Sequence, residues 1–176
     1  AYSLVSHLLG LKDRHNGNIL LDNKGHVIHI DFGFLLGTAP GGSFSLERVP
    51  FKLTAEHVEA MGGWQSDGFA DFVVLLCCGF SALQKHSSKI LALVEVMARD
   101  SPFPCFKTGT AAVEKMRSRL KLHLTTNEQV AAHVADLVRQ SYNAYGTRQY
   151  DSFQYLTNGI YCLLYTSPSP RDRVQS

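Results

Sequence analysis

The stretch Lys12-Asp13-Arg14-His15-Asn16-Gly17-Asn18, with the run that follows it to Asp31-Phe32-Gly33, decides the reading of this chain. Asp13 and Asn18 are five residues apart, and Asp31 lies thirteen beyond Asn18. Two short apolar runs, 18–22 and 26–30, fill the interval and are joined by Asn23-Lys24-Gly25. This pattern predicts a tight hairpin with its glycine at positive φ. Such a hairpin carries Asn18 and Asp31 back to the same end. A carboxylate base (Asp13), an amide oxygen and a second carboxylate then converge. Hard oxygen ligands of this kind suit Mg²⁺ (or Mn²⁺), which keeps several of its waters. Phosphoryl transfer needs this set: an Asp to take the hydroxyl proton, and an Asn and an Asp to hold the metal against the phosphates of ATP. Each motif alone is an ordinary turn; the joint spacing across a hairpin carries the reading.

The order of the loop is Asp-Arg-His. The strings KDRHNGNILLD and GHVIHIDFGF resemble lipid kinases of the phosphatidylinositol 3-/4-kinase superfamily, most closely the type III 4-kinases. PFKLT (50–54), MGG (61–63), Phe103-Pro104-Cys105-Phe106 and YDSFQYLTNGI (150–160) resemble their beta class. In the 3-kinase branch the loop more usually reads Asp-Arg-His-Ser-Asp-Asn, with His after the glycine of Asp-Phe-Gly. Here Asn16-Gly17 and Phe34 take those places.

The resemblance covers about residues 1–160. It implies an α+β, mostly helical fold: the C-terminal lobe of a protein-kinase-like domain. Within it lie a catalytic loop at 12–18, an activation segment at 31–53 and a helical bundle at 54–160. The activity it implies is ATP-dependent phosphorylation of phosphatidylinositol at the inositol 4-hydroxyl. Alternatives are another kinase of the superfamily, or a non-catalytic helical module that docks to a membrane or adaptor.

By resemblance Asp13 and His15 are the catalytic pair, and the sequence does not rank one over the other as proton acceptor. Asn18 and Asp31 are the metal ligands, and Asn18, Ile30 and Asp31 face the nucleotide. Arg14 is expected to make a structural ion pair, and Asp22 to be exposed at the end of its strand. In this superfamily the activation segment faces the inositol headgroup. Here its basic residues are only Arg48 and Lys52, opposed by Glu47. A phosphorylated ring wants several cations, so the acceptor inferred is phosphatidylinositol itself, with Arg48 and Lys52 as its headgroup contacts. No glycine-rich phosphate loop or strand lysine is seen, so the partner expected to complete the ATP site is an N-terminal lobe. The resemblance also implies a cytoplasmic protein, peripheral on Golgi-type membranes.

Composition fits one domain with a real core: 176 residues, 45% apolar. A net charge of +2, from 17 basic and 15 acidic residues, argues against nucleic acid. No apolar run is read as approaching the roughly 18 residues of a bilayer span. Cys77, Cys78, Cys105 and Cys162 lack metal or redox spacing and read as free buried thiols. The histidines other than His15 read as surface or satisfied core residues.

Periodicity outlines the helices. Residues 1–10 end a helix at Gly10, so the chain opens inside an element. Thr54 caps a helix over 55–61, and Asp67 caps one whose run 69–83, apolar nearly all round, reads as a buried central helix. A helix from Ser87 or Ser88 sets Ile90, Leu91, Leu93, Val94 and Met97 on one face, and Pro102 and Pro104 end it. The next, from Thr110 to about 122, turns Val113, Met116 and Leu120 inward and Lys115, Arg117, Arg119 and Lys121 outward. Thr125-x-x-Glu128 reads as a capping box for a helix through Arg139. A short helix spans 150–156 and stops at Asn158-Gly159. Residues 161–176 read as a disordered tail, with a non-native origin as the alternative to a natural continuation.

Overall fold

The computed structural model of the chain describes residues 1–42, 45–107, 109–160 and 164–165. Helix α1 (Tyr2–Leu9) ends where Gly10 turns left-handed, at φ 59°, and caps the last carbonyls. The loop 12–18, expected from the sequence to be the catalytic loop and named accordingly, follows and closes in a 3₁₀ turn over Asn16–Asn18. Strands β1 (Ile19–Leu21) and β2 (Val27–His29) pair antiparallel with Ile19 opposite His29. Gly25 sits at φ 83°, as a tight hairpin requires. Asp22 is half-buried and organises that turn: its Oδ1 accepts the N–H groups of Lys24 and His26, each at 2.8 Å.

Helices α2 (Ala55–Ala60), α3 (Asp67–Lys85), α4 (Ser87–Ala98), α5 (Thr110–Arg119), α6 (Asn127–Ser141) and α7 (Tyr145–Asn158) form the bundle. Two apolar clusters hold it together. Leu76 and Phe80 of α3 pack with Val130, Val134 and Leu137 of α6 and with Phe51 and Leu53 of the activation segment. Leu91 and Val94 of α4 pack with Val113, Met116 and Leu120 and with Leu36. Helix α1 joins the two, giving Leu4 to the first and Leu8 to the second. Full burial of such side chains stabilises by about 1.5–3 kcal/mol each. The catalytic loop is therefore hung between two cores.

Several expectations are corrected. Ser66, rather than Asp67, caps α3. Thr126 and Gln129, not Thr125 and Glu128, make the capping box of α6. Helix α7 starts five residues earlier than its apolar pattern suggested, at Tyr145. Helix α3 is not buried all round: Val74 and Leu75 are exposed, as is Cys78. It is also long and apolar enough, by length and composition, to cross a membrane, although Leu76 and Phe80 bury one stripe of it in the bundle. On α4, Leu91 and Val94 are buried while Leu93, Val96 and Met97 face outward. Arg119 turns inward, its guanidinium donating to the carbonyl of Leu8 at 3.2 Å. The tail expected to be disordered contributes a third strand, β3 (Leu164–Tyr165), parallel to β1, giving the order β2-β1-β3. The rest of that tail lies outside the described residues.

Candidate active site

The loop 11–18 has few side chains that bury apolar surface, so polar bonds fix it. Arg14 is buried, and among the described residues its guanidinium makes no ion pair. It donates to three backbone carbonyls instead: Lys12 at 3.0 Å, Ile30 at 2.8 Å, and Asp31. A planar fork with fixed donors suits that task in a way a lysine does not. One side chain thus ties the catalytic loop to the segment that enters Asp31-Phe32-Gly33. The Phe32 ring lies beneath the same guanidinium, 5.6 Å from its carbon to the ring centre.

Glu47 fixes the loop from the other side. Its buried carboxylate accepts the backbone N–H of Arg14 at 2.8 Å and that of Asp13. Burial pushes its pKa above the usual carboxylate range, against the pull of those two N–H bonds. Sequence reasoning set Glu47 only against Arg48 and Lys52. A lone glutamate in a glycine-rich segment gives no periodic signal of burial.

Asp13 adopts φ 65°, which an L-residue tolerates when its surroundings over-determine it. Its side chain is held by two donors. Asn18 Nδ2 donates to Oδ2 at 3.2 Å and to the backbone carbonyl at 2.9 Å, and the Tyr150 hydroxyl donates to Oδ1. Burial raises the Tyr150 pKa, and the hydrogen bond to Asp13 raises it further. Gln154 in turn donates to the Tyr150 oxygen at 3.2 Å. Tyr150 was placed on a helix by its periodicity, but nothing in its local pattern links it to Asp13.

His15 Nε2 lies 3.7 Å from Asp13 Oδ1, and its Nδ1 accepts the Gly17 N–H at 3.0 Å. That acceptor role places the ring proton on Nε2 in the neutral form. Burial lowers the His15 pKa, with Asp13 opposing. Gly17 is required by space: a Cβ there meets Ile160 at 2.7 Å and the His15 ring at 3.0 Å.

The hairpin returns as expected. The Ile30 N–H donates to the Asn18 carbonyl at 3.1 Å, so the residue before Asp31 lies bonded against Asn18. Asp31 is exposed at φ 55°, and its Oδ1 accepts the Gly33 N–H at 3.2 Å. Asn18 spends its amide nitrogen on Asp13, which leaves Oδ1 out of those bonds. Among the described residues no three His, Cys, Asp or Glu side chains gather as a metal cluster. Two hard oxygen donors at the mouth of a loop still fit an ion that completes its shell with phosphate oxygens and water.

The two expected headgroup cations part company. Arg48 is exposed, its Nε 3.4 Å from the Ser45 carbonyl. Lys52 is not available to a headgroup. It is buried, and Nζ donates to both carboxylate oxygens of Asp151, at 2.6 and 2.7 Å, and to Asn16 Oδ1 at 2.7 Å. Asp151 also accepts the Asn16 N–H at 3.1 Å, so α7 braces the catalytic loop at a second point.

The family described as "Phosphatidylinositol 3- and 4-kinase" matches residues 1–108, which hold both the loop and the hairpin. The chain belongs to the phosphatidylinositol 3- and 4-kinase family. Within that kinase family it is 49% identical to "Phosphatidylinositol 4-kinase beta 2" of Arabidopsis thaliana over 163 residues, 90% of this chain and 14% of that protein. It is 46% identical to "Phosphatidylinositol 4-kinase beta" of Xenopus laevis over 160 residues, 91% of this chain and 20% of the relative. To "Phosphatidylinositol 4-kinase PIK1" of Saccharomyces cerevisiae it is 44% identical, over 92% of this chain and 15% of that one. The chain therefore spans a fifth or less of the length of these relatives.

Proposed function

We propose that the chain supplies the catalytic lobe of a lipid kinase that transfers the γ-phosphate of ATP to the 4-hydroxyl of phosphatidylinositol. The observation that carries this is the Asp13 carboxylate, held by Asn18 and Tyr150 beside the Nε2 of His15. The identity to proteins named phosphatidylinositol 4-kinase beta supports the substrate and the position of transfer.

Asp13 is the proton acceptor for the attacking hydroxyl. Each of its oxygens has a lone pair left after the bonds above. His15, neutral and protonated on Nε2, is a donor aimed at the same place, suited to the transferring phosphate rather than to proton abstraction. Asn18 Oδ1 and the Asp31 carboxylate would hold Mg²⁺, and Asn18, Ile30 and Asp31 border the nucleotide. When bound, the ion bridges phosphate oxygens and neutralises the charge that develops on them. Arg48 is the cation of the activation segment left for the lipid headgroup.

The far side of the nucleotide is covered by a second, N-terminal lobe. Ile28, Ile30 and Phe32, exposed at 36, 37 and 50%, offer an apolar surface for it beside Asp31. On this reading the 176-residue chain alone binds ATP weakly and turns over no lipid. The relatives' names support work at a membrane, and the resemblance supports a cytoplasmic enzyme peripheral on Golgi-type membranes.

The test is the product. The natural polypeptide containing this chain, given ATP, Mg²⁺ and phosphatidylinositol vesicles, yields the 4-phosphate. Recovery of the 3-phosphate, or of labelled protein in place of lipid, overturns the substrate assignment.

A further inference from the structure

A cavity of about 420 Å³ lies away from the catalytic side chains, between the ends of α1 and α5, the middle of α6 and the stretch 48–50. None of Asp13, His15, Asn18 or Asp31 lines it. Lys12, Arg48, Arg119 and Lys121 do, with Asp136 as the one acidic residue. Asp136 is already paired with Arg139.

Three of the four cations are held in place by backbone carbonyls. Lys12 Nζ donates to the Val49 carbonyl at 3.0 Å, Arg119 to that of Leu8 at 3.2 Å, and Arg48 to that of Ser45 at 3.4 Å. Among the described residues none of the four makes an ion pair. Lys12 and Arg119 are buried enough that desolvation lowers both pKa values. Gathering four cations, two of them largely buried, around one space whose wall holds a single carboxylate is costly, and an anion in that space offsets the cost.

The wall holds a second sign of a missing partner. His7 and His133 line the cavity, their ring centres 6.3 Å apart. His7 is more than nine-tenths buried, and among the described residues Nε2 of each ring has no hydrogen-bond partner. Burial, then Arg119 and His133, push the His7 pKa down to about 4, so the ring is neutral and can donate without adding charge.

We propose that this cavity binds a phosphate monoester, with Lys12, Arg48, Arg119 and Lys121 as its cationic wall. Its volume admits a phosphorylated group of sugar size. A dianion there suits arginine and lysine donors at close range. Lys12 directly precedes Asp13 and Arg48 directly follows Glu47, so an occupant would steady the loop from behind. The site goes beyond the transfer reaction proposed above and shares only Arg48 with it; phosphate binding by the chain is read without lipid or ATP, so the two readings fail separately.

Phosphate titration of the 176-residue chain, read by calorimetry and by the imidazole resonances of His7 and His133, tests this. One saturable site is expected. Arg48→Gln/Lys121→Gln is expected to weaken binding about tenfold, with the thermal midpoint no lower, and higher if the repulsion is relieved, when phosphate is absent. Gln140→Glu, which sets a negative charge in the same wall, guards against a folding artefact and should weaken binding likewise. Sedimentation with phosphatidic acid in phosphatidylcholine vesicles separates the sources. Sedimentation that is lost in the double variant and displaced by inorganic phosphate assigns a lipid phosphate; saturable phosphate binding without sedimentation assigns a soluble one. No saturable binding of phosphate, or equal affinity in wild type and variants, overturns the proposal.

Discussion

The Glu47 carboxylate accepts the backbone N–H of Arg14 at 2.8 Å across 33 residues of chain, and so couples the activation segment to the catalytic loop. Its other oxygen takes the N–H of Asp13, the residue held at positive φ. A side-chain amide cannot accept on both arms. Glu47→Gln should therefore leave one buried N–H without an acceptor and cost about 1–3 kcal/mol. Urea unfolding gives the magnitude, and faster hydrogen exchange at Asp13 and Arg14 gives the place. Unchanged protection there contradicts the coupling.

Lys52, its side chain buried, pairs with the half-buried Asp151 between the activation segment and α7. Removing one partner strands the other. Lys52→Met should destabilise by roughly 3 kcal/mol, and Asp151→Leu in the same background should recover much of that. Additive losses in the double-mutant cycle would show that the two side chains do not act as a pair.

The histidines set an acid limit on stability. Burial lowers the pKa of His7 and of His29 from 6.5 to about 4, and lowers those of His15, His57 and His133 as well. Unfolded rings take a proton near 6.5, folded His7 and His29 only near 4, and the other three below their unfolded value, so in that window the unfolded state holds more protons. Stability is full above the unfolded value and is lost as pH falls through the window. Glu47, raised by burial, has the opposite sign but is one group against five. Urea midpoints should fall from pH 7 to pH 5 with a slope above one proton, and less steeply in His7→Phe. A flat profile contradicts the neutral buried rings.

Tyr150 donates its hydroxyl to Asp13. Tyr150→Phe removes that donor with little change of volume and should cost about 1 kcal/mol of stability. In the natural polypeptide it should also lower kcat, because Asp13 loses one of the two donors that orient its carboxylate. A stability loss with an unchanged kcat would make the contact purely structural.

Local pattern carries the parts of this fold that depend on it. The hairpin, Gly25 at its turn, the stop at Gly10 and the inward Val113, Met116 and Leu120 all follow from period and punctuation. The contacts that assemble the site do not. Glu47 to Arg14, Lys52 to Asp151 and Tyr150 to Asp13 each join residues more than 30 positions apart. Lys52 reads as a headgroup cation until α7 packs against it. The inward turn of Arg119 has the same origin: its long stem reaches Gly10 and Leu8 from the last turn of α5.

The central claim is that Asp13 and Asp31 perform phosphoryl transfer, and single-turnover kinetics on the natural polypeptide tests it most directly. With ATP, Mg²⁺ and phosphatidylinositol, Asp13→Asn and Asp31→Asn should each slow transfer by a factor on the order of a hundred or more while the protein stays folded. Transfer at the wild-type rate in either folded variant would contradict it.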